Sequence, residues 1–287
     1  MPDRKVLLTG ASGYIASQLI PTFGEQYDLS LLDVKGVSRD GRQVANVAIA
    51  DLSDPDRSKY IQHFQGVDTV VHLGYKRRGG VPLDDFFDEQ VNVTMAYNVY
   101  RAAYDSGVRR VVIASSNHAA DWYEHALIHQ RKMEMLDPAR LPLSDNFYGW
   151  AKATYEHLGF LFACGEFGRK LEVVMVRIGA PREIYAGDFE GDAGGYKRDL
   201  GAYISQRDLC QLFSKSIDVP DIENEHGIPW LVVYGISDNA RAFWSLTSAR
   251  QVLDYRPEDD SEIKYARDIQ RFLTGEGAGG GAGRVGN

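Results

Sequence analysis

Cysteine is scarce in this sequence. Only two of the 287 residues are cysteines, Cys164 and Cys210, and they lie far apart along the chain. Zinc sites and redox pairs need cysteines at close spacing, so this composition indicates neither. We expect both thiols to be free and buried, in a protein from a reducing compartment.

Basic residues are fewer than acidic residues. The chain has 32 Lys and Arg against 40 Asp and Glu, which gives a net charge of −8. A surface that follows nucleic-acid phosphates needs an excess of Lys and Arg gathered on one face. We therefore expect no nucleic-acid partner and favour small molecules as the ligands.

The features of a membrane or exported protein are missing as well. No apolar run approaches the roughly 18 residues that span a bilayer. Polar residues 1–5 lead straight into an apolar segment, without the regions of a signal peptide. We expect a soluble, cytoplasmic protein. His118, His125 and His129 are close in sequence, but no carboxylate completes a recognisable ligand pattern, so we predict no metal site.

What the sequence does contain is a regular alternation of short apolar runs and longer helical patterns. The runs predict buried parallel strands at residues 5–9, 29–32, 69–73, 111–114 and 173–178. The longest helical patterns cover residues 86–106 and 147–167. This order predicts the α/β fold class, with a doubly wound parallel Rossmann sheet covered on both faces.

The chain after Ile178 has a different character. Glycines interrupt it repeatedly, which predicts a loop of about 20 residues that is functional or mobile. A helix at 206–217, a strand at 230–234 and helices near Ser248 and Ile263 follow. We predict a main domain over 1–178, a small substrate-binding lobe with returning elements of the main domain over 179–274, and a disordered Gly-rich tail over 275–287.

A glycine-rich turn follows the first predicted strand. Gly10 and Gly13 begin a G-x-x-G-x-x-A pattern that ends at Ala16 and opens a helix. Glycines at these positions permit a tight turn and let backbone N–H groups approach a pyrophosphate at the helix N-terminus. Ala16 replaces a third glycine, where only close helix packing is required. The same pattern also occurs as a simple turn, so its context matters.

Acidic residues follow the next two predicted strands. Asp33 ends the second strand, where a carboxylate accepts hydrogen bonds from the adenosine ribose and repels a 2′-phosphate, so it favours NAD over NADP. Asp33 could instead cap a loop. Asp51 and Leu52 are candidate adenine contacts, although an Asp before a helix is often an N-cap.

Tyr148 and Lys152 lie one helical turn apart on one face of a predicted helix. There Lys152 could hold the nicotinamide ribose and lower the pKa of the phenol, making Tyr148 a general acid or base. The spacing alone is common by chance. Ser116 supports the assignment, because it follows a predicted strand and places a hydroxyl at the edge where open α/β folds bind ligands.

Taken in order, these residues resemble the extended short-chain dehydrogenase/reductase family, of the NAD-dependent epimerase/dehydratase type, over roughly residues 5 to 270. The resemblance implies a catalytic Ser116, Tyr148 and Lys152, a structural bridge at Asn92, and a homodimer through the two long helices. It implies NAD contacts from Gly10, Gly13, Tyr14, Ile15, Asp33, Asp51, Leu52, Leu73, Gly74, Tyr148, Lys152 and Ile178.

Within that family, residues 114–118, 148–149 and 176–179 resemble uronate dehydrogenases, which oxidise the anomeric hydroxyl of a sugar acid to a lactone with NAD. The resemblance implies that Asn117 and His118 contact sugar hydroxyls and that Arg198 binds the carboxylate. The planar fork of an arginine suits that role.

Two departures from uronate dehydrogenases bear on the substrate. Arg77 and Ala180 stand where those enzymes have serines, and the glycine-rich insertion before Tyr196 is longer here. Arg77 either contacts the substrate or belongs, with Arg78, to a solvated loop. Losing hydroxyl donors changes which polar ligand fits, because a buried unpaired group costs about 1 to 3 kcal/mol.

Three functions are therefore open. The favoured hypothesis is an NAD-dependent dehydrogenase that acts on a sugar or sugar acid, with Tyr148 as the general base. The second is a nucleotide-sugar epimerase or dehydratase that retains its NAD. The third, a non-catalytic dinucleotide sensor, would not require the pairing of Tyr148 with Lys152.

Overall fold

The fold is organised around one parallel sheet. The computed structural model describes residues 4–77 and 84–274, so the predicted disordered tail lies outside the described residues. The strands pair in the order β3-β2-β1-β4-β5-β6-β7, and every pairing is parallel. Their bounds are β1 (Lys5–Thr9), β2 (Asp28–Asp33), β3 (Val47–Ile49), β4 (Thr69–His72), β5 (Arg110–Ser116), β6 (Glu172–Ile178) and β7 (Trp230–Gly235). The prediction of a doubly wound Rossmann sheet is confirmed.

Helices cover both faces of this sheet. They are α1 (Tyr14–Gln26), α2 (Phe86–Asp105), α3 (Asp121–Tyr123), α4 (Phe147–Ala163), α5 (Ala193–Ala202), α6 (Gln206–Asp218), α7 (Thr247–Leu253), α8 (Ser261–Lys264) and α9 (Ala266–Thr274). Helices α1 and α6 pack together on one face, and α2 and α4 on the other. Two buried cores result, one containing Leu8 and Phe213 and the other containing Tyr100 and Tyr155.

The central strands are buried because both sheet faces are covered. All seven residues of β5 are buried, which explains why it reads as a continuous apolar run rather than an alternating pattern. The chain reverses its direction of travel across the sheet between β1 and β4. Ligands bind in open α/β sheets at such a switch point, beyond the carboxyl ends of the strands.

The prediction of an uninterrupted loop after Ile178 is wrong, because α5 forms within it. The Asp192 side chain accepts a hydrogen bond of 2.8 Å from the Gly195 N–H and caps this helix. Tyr196 and Leu200, four residues apart on one face, are buried in a small third core with Ile269 of α9. This burial outweighs the low helix propensity of the glycines on which the prediction was based.

The C-terminal part of the chain contributes to both the sheet and a small lobe. The predicted strand at 230–234 forms β7 and joins the sheet beside β6, while α6 lies against α1. Helices α5, α8 and α9 contact one another and form the lobe. Among the described residues, no helix combines the length and the apolar character needed to cross a bilayer.

Both cysteines are free thiols, as predicted. Cys210 is buried, but Cys164, which was also predicted to be buried, is only half-buried. It lies at the C-terminal cap of α4, where the helix leaves the core, and this position accounts for its partial exposure.

Candidate active site

The glycine-rich turn packs against the end of β4. Gly10 has a φ of 75°, and a Cβ there would lie 2.6 Å from the Gly74 nitrogen and 2.7 Å from the Leu73 carbonyl carbon. Only glycine combines this backbone conformation with this close approach. Within the described residues, Gly13 makes no side-chain cap and the first turn of α1 has no acidic residue. The backbone N–H groups at the start of α1 are therefore suited to binding an anionic phosphate.

Asp33 lies at the end of β2 and holds this turn. Its carboxylate accepts hydrogen bonds from the Ser12 N–H at 2.8 Å and the Val34 N–H at 2.6 Å. The capping role that we considered as an alternative is therefore present. The side chain is only half-buried, so its remaining lone pairs can accept ribose hydroxyls as well.

Asp51 and Leu52 follow β3. Burial opposes ionisation of Asp51, but hydrogen bonds from Ser53 and the charge of Lys76, whose Nζ is 3.5 Å away, outweigh it and lower its pKa. Leu52 is buried, and its carbonyl accepts a 2.9 Å hydrogen bond from the Asn98 side chain. Both residues are therefore held in place after β3.

Tyr148 is brought to the end of β5 by the start of α4. The Asn146 side chain caps this helix by accepting a 2.8 Å hydrogen bond from the Gly149 N–H. A Cβ at Gly149 would overlap the His118 carbonyl oxygen, so glycine allows the helix to sit directly on the turn that follows β5. Tyr148 lies there beside Ser116, whose side chain acts to lower the pKa of the phenol.

Lys152 lies one turn further along α4, beneath Tyr148. Its Nζ donates a 2.9 Å hydrogen bond to the Ala114 carbonyl and lies 5.7 Å from the centroid of the Tyr148 ring. Burial lowers the pKa of Lys152 to about 8, and the nearby Glu89 carboxylate opposes this shift. The structure thus brings Ser116, Tyr148 and Lys152 together, as the sequence predicted.

The pKa of Tyr148 differs from the expectation. Lys152 was expected to lower it, but burial dominates and raises it to about 12, with the Ser116 side chain opposing the increase. Burial of the phenol therefore determines the direction of the shift.

Glu89 is a site residue that the sequence analysis missed. It is fully buried on α2 and accepts a hydrogen bond from the Tyr75 hydroxyl. The Tyr75 ring packs edge-on against Tyr148, with the ring centroids 5.5 Å apart. Burial raises the pKa of Glu89 to about 7, and its Oε2 has no partner among the described residues. The sequence did contain one signal for Glu89. It is a carboxylate one turn before Asn92, in a helix that was expected to pack on the sheet.

Asn92 forms the predicted bridge. Its side chain accepts a 2.7 Å hydrogen bond from the Lys76 N–H and donates one of 2.9 Å to the Lys76 carbonyl, which fixes the segment after β4 to α2. Arg77 is exposed in this segment. Its positive charge acts to lower the pKa of Tyr75, against the larger effect of burial, which raises it. Arg78 lies outside the described residues.

Asn117 and His118 begin the turn after β5. Asn117 is buried; its Oδ1 accepts a 3.3 Å hydrogen bond from Ser116, but its Nδ2 has no partner among the described residues. His118 Nδ1 lies 2.6 Å from Asp121 Oδ2, and its ring packs edge-on against Tyr148 at 5.8 Å. Both residues therefore face the same end of the sheet as the Ser116, Tyr148 and Lys152 group.

Arg198 reaches this end from α5, but it is already paired. Its Nε lies 2.9 Å from Glu124 Oε1 and its Nη2 3.3 Å from Oε2. The third nitrogen, Nη1, lies 3.3 Å from Asp199 Oδ1. Sequence analysis missed Glu124, because nothing local in the sequence connects it with an arginine 74 positions away.

A second buried ion pair holds α4 in position. Arg177 on β6 donates to both oxygens of Glu156 on α4, at 2.8 and 2.7 Å. Ser115 on β5 donates to the same carboxylate at 2.9 Å, and Arg177 also donates to the Tyr234 hydroxyl at 3.0 Å. The helix that carries Tyr148 and Lys152 is thus fixed to three strands.

Comparisons with known proteins show what the chain is similar to. A model of the "NAD dependent epimerase/dehydratase family" matches residues 6–177. The "NAD-dependent glucose-6-phosphate dehydrogenase" of Haloferax volcanii is 32% identical over 274 residues, covering 90% of this chain and 95% of that protein. The "Uronate dehydrogenase" of Pseudomonas syringae pv. tomato is 29% identical, covering 93% and 86%. The crystal structure of a uronate dehydrogenase from Agrobacterium tumefaciens has a TM-score of 0.71 and 26% identity, covering 94% and 90%.

Proposed function

The chain belongs to the NAD dependent epimerase/dehydratase family, and we propose that it is an NAD-dependent dehydrogenase that oxidises a hydroxyl-bearing carbon of a sugar, with Tyr148 as the general base. The observation that carries the proposal is the meeting of Ser116, Tyr148 and Lys152 at the carboxyl end of β5. Dehydrogenases of sugars and uronates are among its relatives over most of their length.

Each of the three residues has a role that follows from its position. The Tyr148 phenolic oxygen takes the proton from the substrate hydroxyl, and the Ser116 hydroxyl donates a hydrogen bond to the same substrate oxygen. Because burial raises the pKa of Tyr148 to about 12, the base needs nearby positive charge to act at neutral pH. The Lys152 ammonium, held by the Ala114 carbonyl, supplies that charge.

NAD fits the described residues at the switch point. The Gly10 turn leaves no room for a side chain, and the N–H groups that open α1 suit the pyrophosphate. Asp33 would hold the adenosine ribose and disfavour NADP. The adenine would contact Asp51 and Leu52, and the remaining NAD contacts would come from Tyr14, Ile15, Leu73, Gly74 and Ile178. When bound, NAD supplies the acceptor for the hydride that leaves the substrate carbon.

Reduction of NAD by a sugar panel tests this function. Neutral aldoses, uronates and sugar phosphates are each mixed with the enzyme and added NAD or NADP, and absorbance of the reduced nucleotide is followed. We expect steady NADH formation with at least one sugar and a preference for NAD over NADP. If no sugar reduces NAD, while a nucleotide sugar is converted without added NAD, the chain is an epimerase or dehydratase instead.

We also propose that the protein is a homodimer through α2 and α4. Large hydrophobic side chains are exposed on these helices, including Tyr97, Phe147, Trp150 and Phe160, each 38 to 46% exposed. Apolar patches of this kind mark interaction surfaces. Analytical ultracentrifugation should give twice the mass of one chain, and Trp150→Glu should shift the equilibrium toward monomers. A wild-type protein that sediments as a monomer would contradict the proposal.

A further inference from the structure

The guanidinium group of Arg198 has no free nitrogen. Two of its nitrogens contact the Glu124 carboxylate, at 2.9 and 3.3 Å, and the third contacts Asp199 at 3.3 Å. The side chains of Arg198 and Glu124 are 6% and 1% exposed, so water does not screen the pair. The Nε–Nη2 edge of Arg198, which could bind a carboxylate through two hydrogen bonds, is therefore already occupied by a carboxylate of this chain.

The carboxylates of Glu124 and Asp199 balance the charges of Arg198 and Arg182. Asp199 is a second carboxylate on the same guanidinium, and its other oxygen contacts Arg182, which is 57% exposed. His129 lies 3.1 Å from Glu124 but is a neutral or a charged partner according to its protonation. A further anion brought against Arg198 would add a buried negative charge without its own cation, which is strongly unfavourable.

Glu124 belongs to the ligand edge rather than to the scaffold. It follows Asn117 and His118 directly along the turn and short helix after β5, and it begins the π-helical turn Glu124–Ile128. Such single-turn π segments occur frequently at functional sites. The His118 ring also contacts Tyr148, with the ring centroids 5.8 Å apart. Glu124 and the contact of His118 with Tyr148 therefore belong to the same segment after β5.

Several buried polar atoms on the segment after β5 or beside Arg198 have no hydrogen-bond partner among the described residues. Asn117 Nδ2 and Trp244 Nε1 are donors and Asp121 Oδ1 is an acceptor, and His125 Nε2, in the π-helical turn that begins at Glu124, is a fourth such atom. The Trp244 ring lies 5.4 Å from the Arg198 guanidinium carbon. A hydroxyl group both donates and accepts, so sugar hydroxyls can pair with all of these atoms. A carboxylate only accepts and cannot pair with Asp121 Oδ1.

From this geometry we infer that Glu124 makes the site selective for a neutral sugar over a sugar acid, by occupying Arg198. The inference rests on the proposed function and names its substrate class. It reverses the role that the sequence resemblance implied for Arg198, which was to bind the carboxylate of the substrate.

Galactose and galacturonate test the inference, since they differ only in the group at C6. We expect the wild-type enzyme to have a kcat/KM for NADH formation at least about tenfold higher with galactose, which corresponds to about 1.4 kcal/mol. A wild-type enzyme that uses galacturonate as well as or better than galactose overturns the inference.

Glu124→Gln separates charge from shape. It keeps the size of the side chain and an acceptor for Arg198 but removes the negative charge, so we expect the galactose to galacturonate ratio to fall at least about tenfold. Glu223→Gln is the matched control, because Glu223 is an exposed partner of Lys170 at the opposite end of the sheet. An unchanged ratio in a folded Glu124→Gln protein overturns the role of Glu124, whatever the wild-type preference.

Binding measurements keep this result separate from the proposed function. Calorimetry on the Tyr148→Phe protein with NAD gives the affinities of both sugars without turnover. If no sugar reduces NAD in the wild type, the proposed function fails, while tighter binding of galactose than of galacturonate still supports the inference. Equal affinities, or no binding of either sugar, overturn it.

Discussion

Two buried Arg–Glu ion pairs connect elements of this fold, but their surroundings differ. Around Arg177 and Glu156 every group has a partner, since Ser115 and Tyr234 complete the network and none of the four residues has an unpaired buried polar atom in the described part of the chain. Around Arg198 and Glu124, by contrast, Asn117, Asp121 and Trp244 keep unpaired buried atoms.

We interpret the difference as one between scaffold and the proposed binding site. Buried polar groups are normally all hydrogen-bonded, because an unpaired one costs about 1 to 3 kcal/mol. A complete network therefore serves to fix α4 to the sheet. An incomplete one, located beside Tyr148, is what a site for a hydroxyl-rich ligand requires. Changes to the Arg177 network should therefore affect mainly stability, and changes to the Arg198 network mainly substrate recognition.

Glu156→Gln should give the largest effect. It leaves the Arg177 charge buried without a counter-ion, and breaking a buried pair in this way costs about 3 to 5 kcal/mol of the free energy of unfolding. Glu124→Gln should cost less, because Asp199 still contacts Arg198. Urea unfolding of both variants measures the difference. Equal losses in the free energy of unfolding would contradict the different roles that we assign to the two ion pairs.

The pH dependence of stability should reveal Glu89, which is another incompletely paired group. Its pKa is raised from 4.5 to about 7, so the folded state holds its proton more tightly than the unfolded state. The stability from this group is present below pH 4.5 and is lost as pH rises to about 7, by up to about 3 kcal/mol. Glu89→Gln should remove this decrease.

Denaturant unfolding at several pH values between 4.5 and 7 checks the Glu89 prediction. Glu223→Gln, at an exposed site, is the control and should follow the wild-type profile. Parallel profiles for the wild type and Glu89→Gln would mean that Glu89 does not titrate in this range.

Ser115 and Ser116 are neighbours on β5, one in each network. Ser115→Ala removes the hydrogen bond to Glu156 and should cost about 1 kcal/mol of stability without changing kcat. Ser116→Ala should lower kcat about 100- to 1,000-fold, as expected for loss of a donor to the reacting oxygen. Thermal unfolding and steady-state kinetics of both variants provide the test. Similar kinetic defects in both would place the two hydroxyls in one network.

The sequence predicted the glycine-rich turn and the end of β2 best, for a physical reason. Gly10, Gly13 and Asp33 act within one β-α-β unit, so their spacing reflects the local geometry of a turn and a strand end. Tyr148 and Lys152 lie on one helical turn. Short-range geometry of this kind leaves a pattern in the order of residues.

The substrate end could not be predicted in the same way. Glu124 meets Arg198 only because α5 folds back over the turn after β5, and the contact joins residues 74 positions apart. The glycines of α5 indicated a loop, yet burial of Tyr196 and Leu200 makes it a helix. The Arg198 fork suits a carboxylate, but the sequence does not say whether that carboxylate belongs to the substrate or to the protein.

The most direct test of the central claim is the kcat of Tyr148→Phe for NADH formation with the best sugar of the panel, measured at saturating NAD. The substitution removes only the phenolic oxygen that we propose to take the substrate proton. We predict a decrease of about a thousandfold, within the range for loss of a general base. A kcat within threefold of the wild-type value would contradict the assignment of Tyr148 as the base.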